Sequence, residues 1–303
     1  MHISTRESIT TEPRALGLAT KPRSPAGDVA RRFVRNRLAL AGLFIVVLLA
    51  IMAIAAPVIA PKDPAASTLA DARARPSREY LLGADELGRD ILSRIIYGSR
   101  VALLVAVLAV GAATLVGGGI GLIAGFAGGW IDEVLMRLMD ILLAFPYLLL
   151  AIAIVSALGS GVEKTTIAVA IWAVPNFARV VRGQVLTLKE RDYVLAARAL
   201  GARTPRLLLV HITPNIIAPI IVFASLYMAN AILLEAALSF LGLGVQPPQA
   251  SWGLMVASGR DFLRVDPHVT TFPGIAIMIT VLGFNLLGDG LRDAMDPRLR
   301  NRF

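Results

Sequence analysis

An uncharged apolar run from Leu38 to Ala60 limits more than any other feature what this chain can become. At 1.5 Å per residue, a helix of that length crosses a hydrocarbon core of about 30 Å. Lipid offers no partner to a bare N–H or C=O, so the segment has to satisfy its own backbone as a helix. Comparable stretches recur at Val101 to Phe126, Leu138 to Leu158, Thr166 to Val181, Ile216 to Ala236 and Thr271 to Gly290. Six spans predict an all-α polytopic membrane protein. Composition agrees: of 303 residues, 56% are hydrophobic and 17% charged, too apolar for a soluble domain of this length. The Leu38 run also exceeds the apolar region of a signal peptide, roughly 7 to 15 residues, and reads as a retained span. With no cysteine, structural disulfides and thiolate metal sites are excluded.

The formal net charge is +9, which would suit nucleic acid, but its placement explains it as topology. The N-terminal tail, the Gly128 to Arg137 turn, the Arg179 to Arg206 loop and the tail with Arg292, Arg298, Arg300 and Arg302 hold twice as many Lys and Arg as the opposite loops. Basic residues gather on the cytoplasmic side of spans. Both termini are therefore expected in the cytoplasm, and no nucleic-acid partner is implied. Residues 1–28, with Pro13, Pro22 and Pro25 and no apolar period, read as a disordered tail. Residues 29–100 hold the first span and an external segment, and 101–303 the other five spans. In the external segment, Asp85 is a candidate cap for a helix with Ile91, Leu92, Ile95 and Ile96 on one side. Arg89, Asp90, Ser93 and Arg94 fall on the other, the pattern of a helix lying in the membrane interface.

Inside the spans, Gly117, Gly121 and Gly125 recur every fourth residue and form one helical stripe suited to close packing in lipid. Pro146 and Pro175 fall within spans three and four. An interior proline bends a helix and frees a carbonyl, so both are candidates for the wall or gate of a pathway. Glu235, near the external end of span five, is a third candidate, because a carboxylate within a span is costly and often functional. A structural role near the headgroups is the competing reading. Asp140 is expected to pair with Arg137. His2, His211 and His268 lie in three different regions, so no metal site is expected.

Between spans four and five lies a polar segment, Lys189 to Asn215, that itself reads as ordered helix. Asp192 to Leu200 is rich in helix formers, and Gly201 stands where a helix turns left-handed and stops. Thr204 as N-cap and Pro205 in the first turn restart a second helix, expected to run to Pro214. Ala196, Ala197 and Ala199 leave one face nearly bare, which permits close approach of another protein.

This segment resembles the coupling loop of bacterial ABC importer permeases, whose pattern is Glu-Ala-Ala, three residues, Gly and a later Pro. The matching positions are Ala196, Ala197, Gly201 and Pro214; Leu195 stands where the acid is usual. Three further blocks are similar to the C-type permeases of dipeptide, oligopeptide, glutathione and nickel importers. They are GADELGRD before span two, LSFLGLGVQPPQASWG from Leu238 to Gly253, and NLLGDGLRDAMDP from Asn285 to Pro297. Ala84 replaces a usual threonine. The family often reads His-Ile-Leu-Pro near His211, which marks that residue as a docking position. The resemblance implies the type I importer permease fold and a heterodimer with a B-type permease. It also implies two cytoplasmic ABC ATPases docking on 189–215 and an extracytoplasmic substrate-binding protein.

No phosphate-binding loop of the form GxxxxGK[ST] is present; GSGVEKTT places Glu163 where a glycine is required, and an acid there would repel phosphate. ATP and Mg therefore belong to the partner ATPases. The chain is expected to carry no cofactor and to be no enzyme. The function implied is passage of peptides or peptide-like substrates across the inner membrane by alternating access, with a nickel chelate as the alternative cargo. An ATP-independent carrier would need ionisable residues near the bilayer midplane, and the spans offer almost none.

Overall fold

The computed structural model describes residues 25–295, and its regular elements are helices. Residues 1–24 of the tail lie outside the described residues. Helix α1, Pro25–Arg35, already begins within the segment expected to be disordered. It is followed by α2, Arg37–Ile59, the first span. Asn36 separates the two, its side-chain oxygen accepting from the Leu38 and Ala39 amides at 3.0 and 3.2 Å. That capping satisfies donors the helix cannot satisfy itself. Asn36→Ala is expected to cost about 1 kcal/mol, read as a lowered thermal midpoint of the detergent-purified protein.

Helix α3 runs from Ile91 to Ala127 without a break, through the division expected between residues 100 and 101. The separate interfacial helix is thus corrected: its residues are the first turns of α3. The cap is Asp90, which accepts from the Ser93 amide at 2.8 Å, and not Asp85. Both faces are buried, Ile91, Ile95 and Ile96 on one, Arg89, Asp90, Ser93 and Arg94 on the other. An amphipathic pattern reports two chemistries, and here the polar one is covered by the segment between α2 and α3 instead of water.

Span three also differs from expectation. It is two helices, α4, Gly129–Leu143, and α5, Tyr147–Leu158, meeting at a 90° bend. Pro146 caps α5 and does not sit inside a helix. Its ring disfavours the helical conformation for Phe145, and it has no N–H to continue the ladder. Asp140 pairs with Arg179 on the next helix, at 2.6 Å, and not with Arg137.

Helix α6, Val162–Lys189, is central, and its packing on α3 is the most extensive in the molecule. After it come α7, Asp192–Ala199, and the single turn α8, Thr204–Arg206. A π-helical stretch at Leu207–Ile212 then leads into α9, Thr213–Phe240. Helices α10, Trp252–Gly259, and α11, His268–Met295, complete the described residues. Among the described residues, four segments are long and apolar enough to cross a bilayer: α2, α3, the run 204–240 and α11. The bent α4–α5 pair would make a fifth. Helix α6 is long enough, but charges near both its ends leave it less apolar than those, so six spans do not follow from apolarity alone.

The stripe on α3 explains the intimacy of the α3–α6 contact. A Cβ at Gly117 would meet the Val174 carbonyl, one at Gly121 the Ala178 carbonyl, and one at Gly125 the Arg182 carbonyl at 3.0 Å. Backbone therefore lies on backbone along the three residues.

At one end of the bundle, three segments far apart in sequence form a cap. The Trp252 indole donates to the Ile95 carbonyl at 3.0 Å, and the Gly161 amide to Gly244 at 3.0 Å. Arg73 pairs with Asp266 at 3.3 Å, and the His268 ring lies 3.2 Å from the Ala74 carbonyl. At the other end lie α1, α7 and the last turn of α11.

Candidate functional site

The segment 189–215 is anchored at its base and exposed at its tip. Val194 of α7 is fully buried with Val181, Val185, Leu207, Ile212 and Ile216, and Ala197 packs against the same group. Arg198 lies over the Phe126 ring at 5.5 Å, and the Lys189 ammonium donates to the Gly125 carbonyl at 3.0 Å. Helix α7 is thereby tied to the ends of α3, α6 and α9. Ala196 and Ala199 are exposed. The bare face is thus these two, and Ala197, expected to share it, turns inward. Leu195, where an acid is usual, is exposed as well. Leu200 at the tip is 89% exposed.

Gly201 ends α7 at φ +83°. Its amide bonds the Arg198 carbonyl and the Ala202 amide bonds the Ala197 carbonyl, both at 3.0 Å. This pairing is the Schellman stop, which needs a residue comfortable in the left-handed region. Arg203, not Thr204, precedes the next helix as its N-cap, and Thr204 is its first residue.

The second helix does not stop at Pro214. It passes through the π stretch, in which the Thr213 amide reaches back five residues to the Leu208 carbonyl. Pro214 brings no N–H, so a regular ladder would lose a bond there. The wider π register shifts the pairing, and the Asn215 side chain donates to the His211 carbonyl at 2.7 Å. His211 itself is half-buried at this bulge. Prolines signal an end in sequence; only the surrounding packing of Leu207, Ile212 and Ile216 reveals continuation.

The pathway candidates do not converge. Pro146 is exposed at the α4–α5 bend, while Pro175 is buried inside α6. Glu235 is 2% exposed, and one carboxylate oxygen accepts from Ser239 at 2.8 Å and Ser251 at 2.9 Å. It ties α9 to the segment before α10, so the geometry favours its structural reading over a contact with cargo.

Sequence reasoning missed the arrangement around Asp85. One of its oxygens accepts from the Leu87 and Arg89 amides at 3.0 and 2.9 Å. The other faces Arg89 at 2.6 Å and Arg94 at 3.3 Å. Arg94 is 1% exposed and also donates to the Pro64 carbonyl at 2.9 Å. The signal available was the clustering of three acids and two arginines within ten residues, which an amphipathic reading assigned to water.

Toward the α7 end, Arg182 grips both oxygens of Asp132 at 2.5 and 2.6 Å. This bidentate contact fixes α4 to α6.

Comparison with known proteins shows the family. Residues 117–301 match the family described as the binding-protein-dependent transport system inner membrane component. Residues 24–76 match the N-terminal transmembrane domain of oligopeptide transport permease C. The chain belongs to this family of multi-pass inner-membrane permeases. The dipeptide transport system permease protein DppC of Alkalihalophilus pseudofirmus is 45% identical over 278 residues, covering 92% of this chain and 91% of that one. The glutathione transport system permease protein GsiD of Pectobacterium atrosepticum is 45% identical over 283 residues, 92% and 93% of the two chains. The di/tripeptide transport system permease protein DppC of Pseudomonas aeruginosa is 46% identical over 288 residues, 92% and 94%. Among solved structures, a chain of the MetNI methionine ABC transporter in inward-facing conformations shares the fold. Its TM-score is 0.55 at 15% identity, over 67% of this chain and 97% of that one.

Proposed function

We propose that this chain is the C-type half of an ATP-driven importer of short peptides or peptide-like molecules such as glutathione. It pairs with a B-type permease, receives cargo from an extracytoplasmic binding protein, and takes its energy from two cytoplasmic ABC ATPases. Both termini lie in the cytoplasm on this reading. The observation that carries it is the 189–215 segment, a rigid, apolar-tipped helix bolted by Val194, Arg198 and Lys189 to the ends of three long helices. Such an element transmits displacement instead of absorbing it. ATPase closure against Ala196, Ala199 and Leu200 would swing α7, and α3, α6 and α9 would follow as one body, the rigid-body form of alternating access. The names of the permeases sharing about 45% identity support the peptide class.

Gly201→Val tests the coupling role. A β-branched residue at φ +83° is strained by about 1–2 kcal/mol, which is relieved by turning α7 out of place. Peptide uptake and binding-protein-stimulated ATPase activity should fall together while the subunits still co-purify. Persistence of both activities would remove the coupling assignment from this loop.

A further inference from the structure

Tyr147 opens α5, Trp172 lies on α6 and Tyr227 on α9. The α5–α6 turn is held level with the end of α9 by the Gly161–Gly244 bond. Counting 1.5 Å per residue from those ends puts all three rings about 15–20 Å deep, the middle of a hydrocarbon core. Tyr147 and Trp172 have centroids 5.8 Å apart, and Trp172 stacks on Tyr227 at 5.5 Å. Phe223 continues the group at 4.5 Å from Tyr227. Aromatics with polar tips ordinarily sit at the membrane surface. These do not, and Tyr147 is 56% exposed. Among the described residues, neither the two hydroxyls nor the Trp172 N–H has a hydrogen-bond partner. Facing lipid, each would forfeit a bond it makes in water.

Phe223 also belongs to a cleft of about 580 Å³ between α6, α9 and α11. Gln184, Asn215 and Arg292 line its mouth on the α7 side, with Val222 and Leu226 deeper. The cleft thus carries polar side chains toward α7, apolar ones along α9, and Phe223, through whose contact with Tyr227 it adjoins the aromatics with unspent donors.

We propose that Tyr147, Trp172 and Tyr227 are this subunit's contact with the passing peptide at the membrane midplane, closing the inner end of that cleft. The proposal rests on the importer reading above. Peptide amides pair with the hydroxyls and the indole N–H whatever their side chains, and the rings accept side chains of many shapes. Arg292 at the mouth suits a terminal carboxylate on its way out. The cleft offers a metal ion neither carboxylate nor imidazole.

The chain lacks cysteine, so single cysteines report cleanly on it in the complete importer. Asn215→Cys and Leu226→Cys should react in inside-out vesicles with a membrane-impermeant methanethiosulfonate, and vanadate trapping should slow the reaction about tenfold. Ile54→Cys, exposed on α2 away from the cleft, should stay unreactive in both states. Trp172→Ala should lower radiolabelled dipeptide uptake about tenfold with the complex intact and its ATPase active. The proposal is overturned if Leu226→Cys is as inert as Ile54→Cys, or if Trp172→Ala transports at the unsubstituted rate. Failure of the importer reading shows separately, as absent ATP-dependent peptide uptake by the unsubstituted complex.

Discussion

Gly121→Leu is expected to leave almost no folded permease in the membrane. The first atom of the new side chain already collides with the Ala178 carbonyl, and beyond it stand the Val181 side chain and the Arg182 amide. Backbone atoms cannot rotate away as a side chain can, so α3 and α6 have to separate along their whole contact. Overpacking costs about 1–3 kcal/mol where neighbours can yield, and here the cost lies at or above the upper end. Gly119, two residues away, has nothing near its added Cβ. Gly119→Ala is therefore a matched control, expected neutral or slightly stabilising because alanine favours the helix. Size-exclusion profiles of fluorescently tagged variants in mild detergent would separate the two. A monodisperse Gly121→Leu peak of normal height would show that α3 and α6 are not held by backbone proximity.

Asp85→Ala has the second large effect. Asp85 faces two buried guanidinium groups and accepts two backbone amides. Its removal leaves Arg94 against the Pro64 carbonyl with no carboxylate in direct contact, and Arg89 with Glu86 alone. Breaking a buried pair in this way costs about 3–5 kcal/mol, because the surviving charge stays buried. The thermal midpoint should drop sharply, with the segment before α3 becoming protease-sensitive first. Asp85→Asn keeps an oxygen for the Leu87 and Arg89 amides and should fall between the two. An unchanged midpoint for Asp85→Ala would mean that this cluster does not hold the cap at that end of the bundle.

Much of the bundle was legible from local pattern alone. Leu38 to Ala60 announces α2 almost to the residue, because an uncharged apolar run in lipid has only one way to satisfy its backbone. Gly201 marks the end of α7 because only glycine sits at ease at φ +83°. Where the readings failed, the deciding partners were distant in sequence. Ile91 to Arg100 looked interfacial because its polar face has no local partner; its cover comes from residues 61–82 and from Trp252. Pro146 and Pro214 look alike as helix breakers. One makes a 90° bend at an exposed edge, whereas the other is absorbed by a π bulge held in a buried cluster.

The sequence by itself determined the solvent of this protein, the helical state of its backbone, and the motifs that tie it to importer permeases. All three follow from hydropathy, length and local backbone preference, which act within a few residues. Tertiary structure alone decided which side chains met: Asp140 with Arg179, Asp132 with Arg182, Glu235 with Ser251, and Trp172 with Tyr147 and Tyr227. Those contacts depend on the rotation and tilt of one helix against another, and a single rise and period along each helix leaves both free.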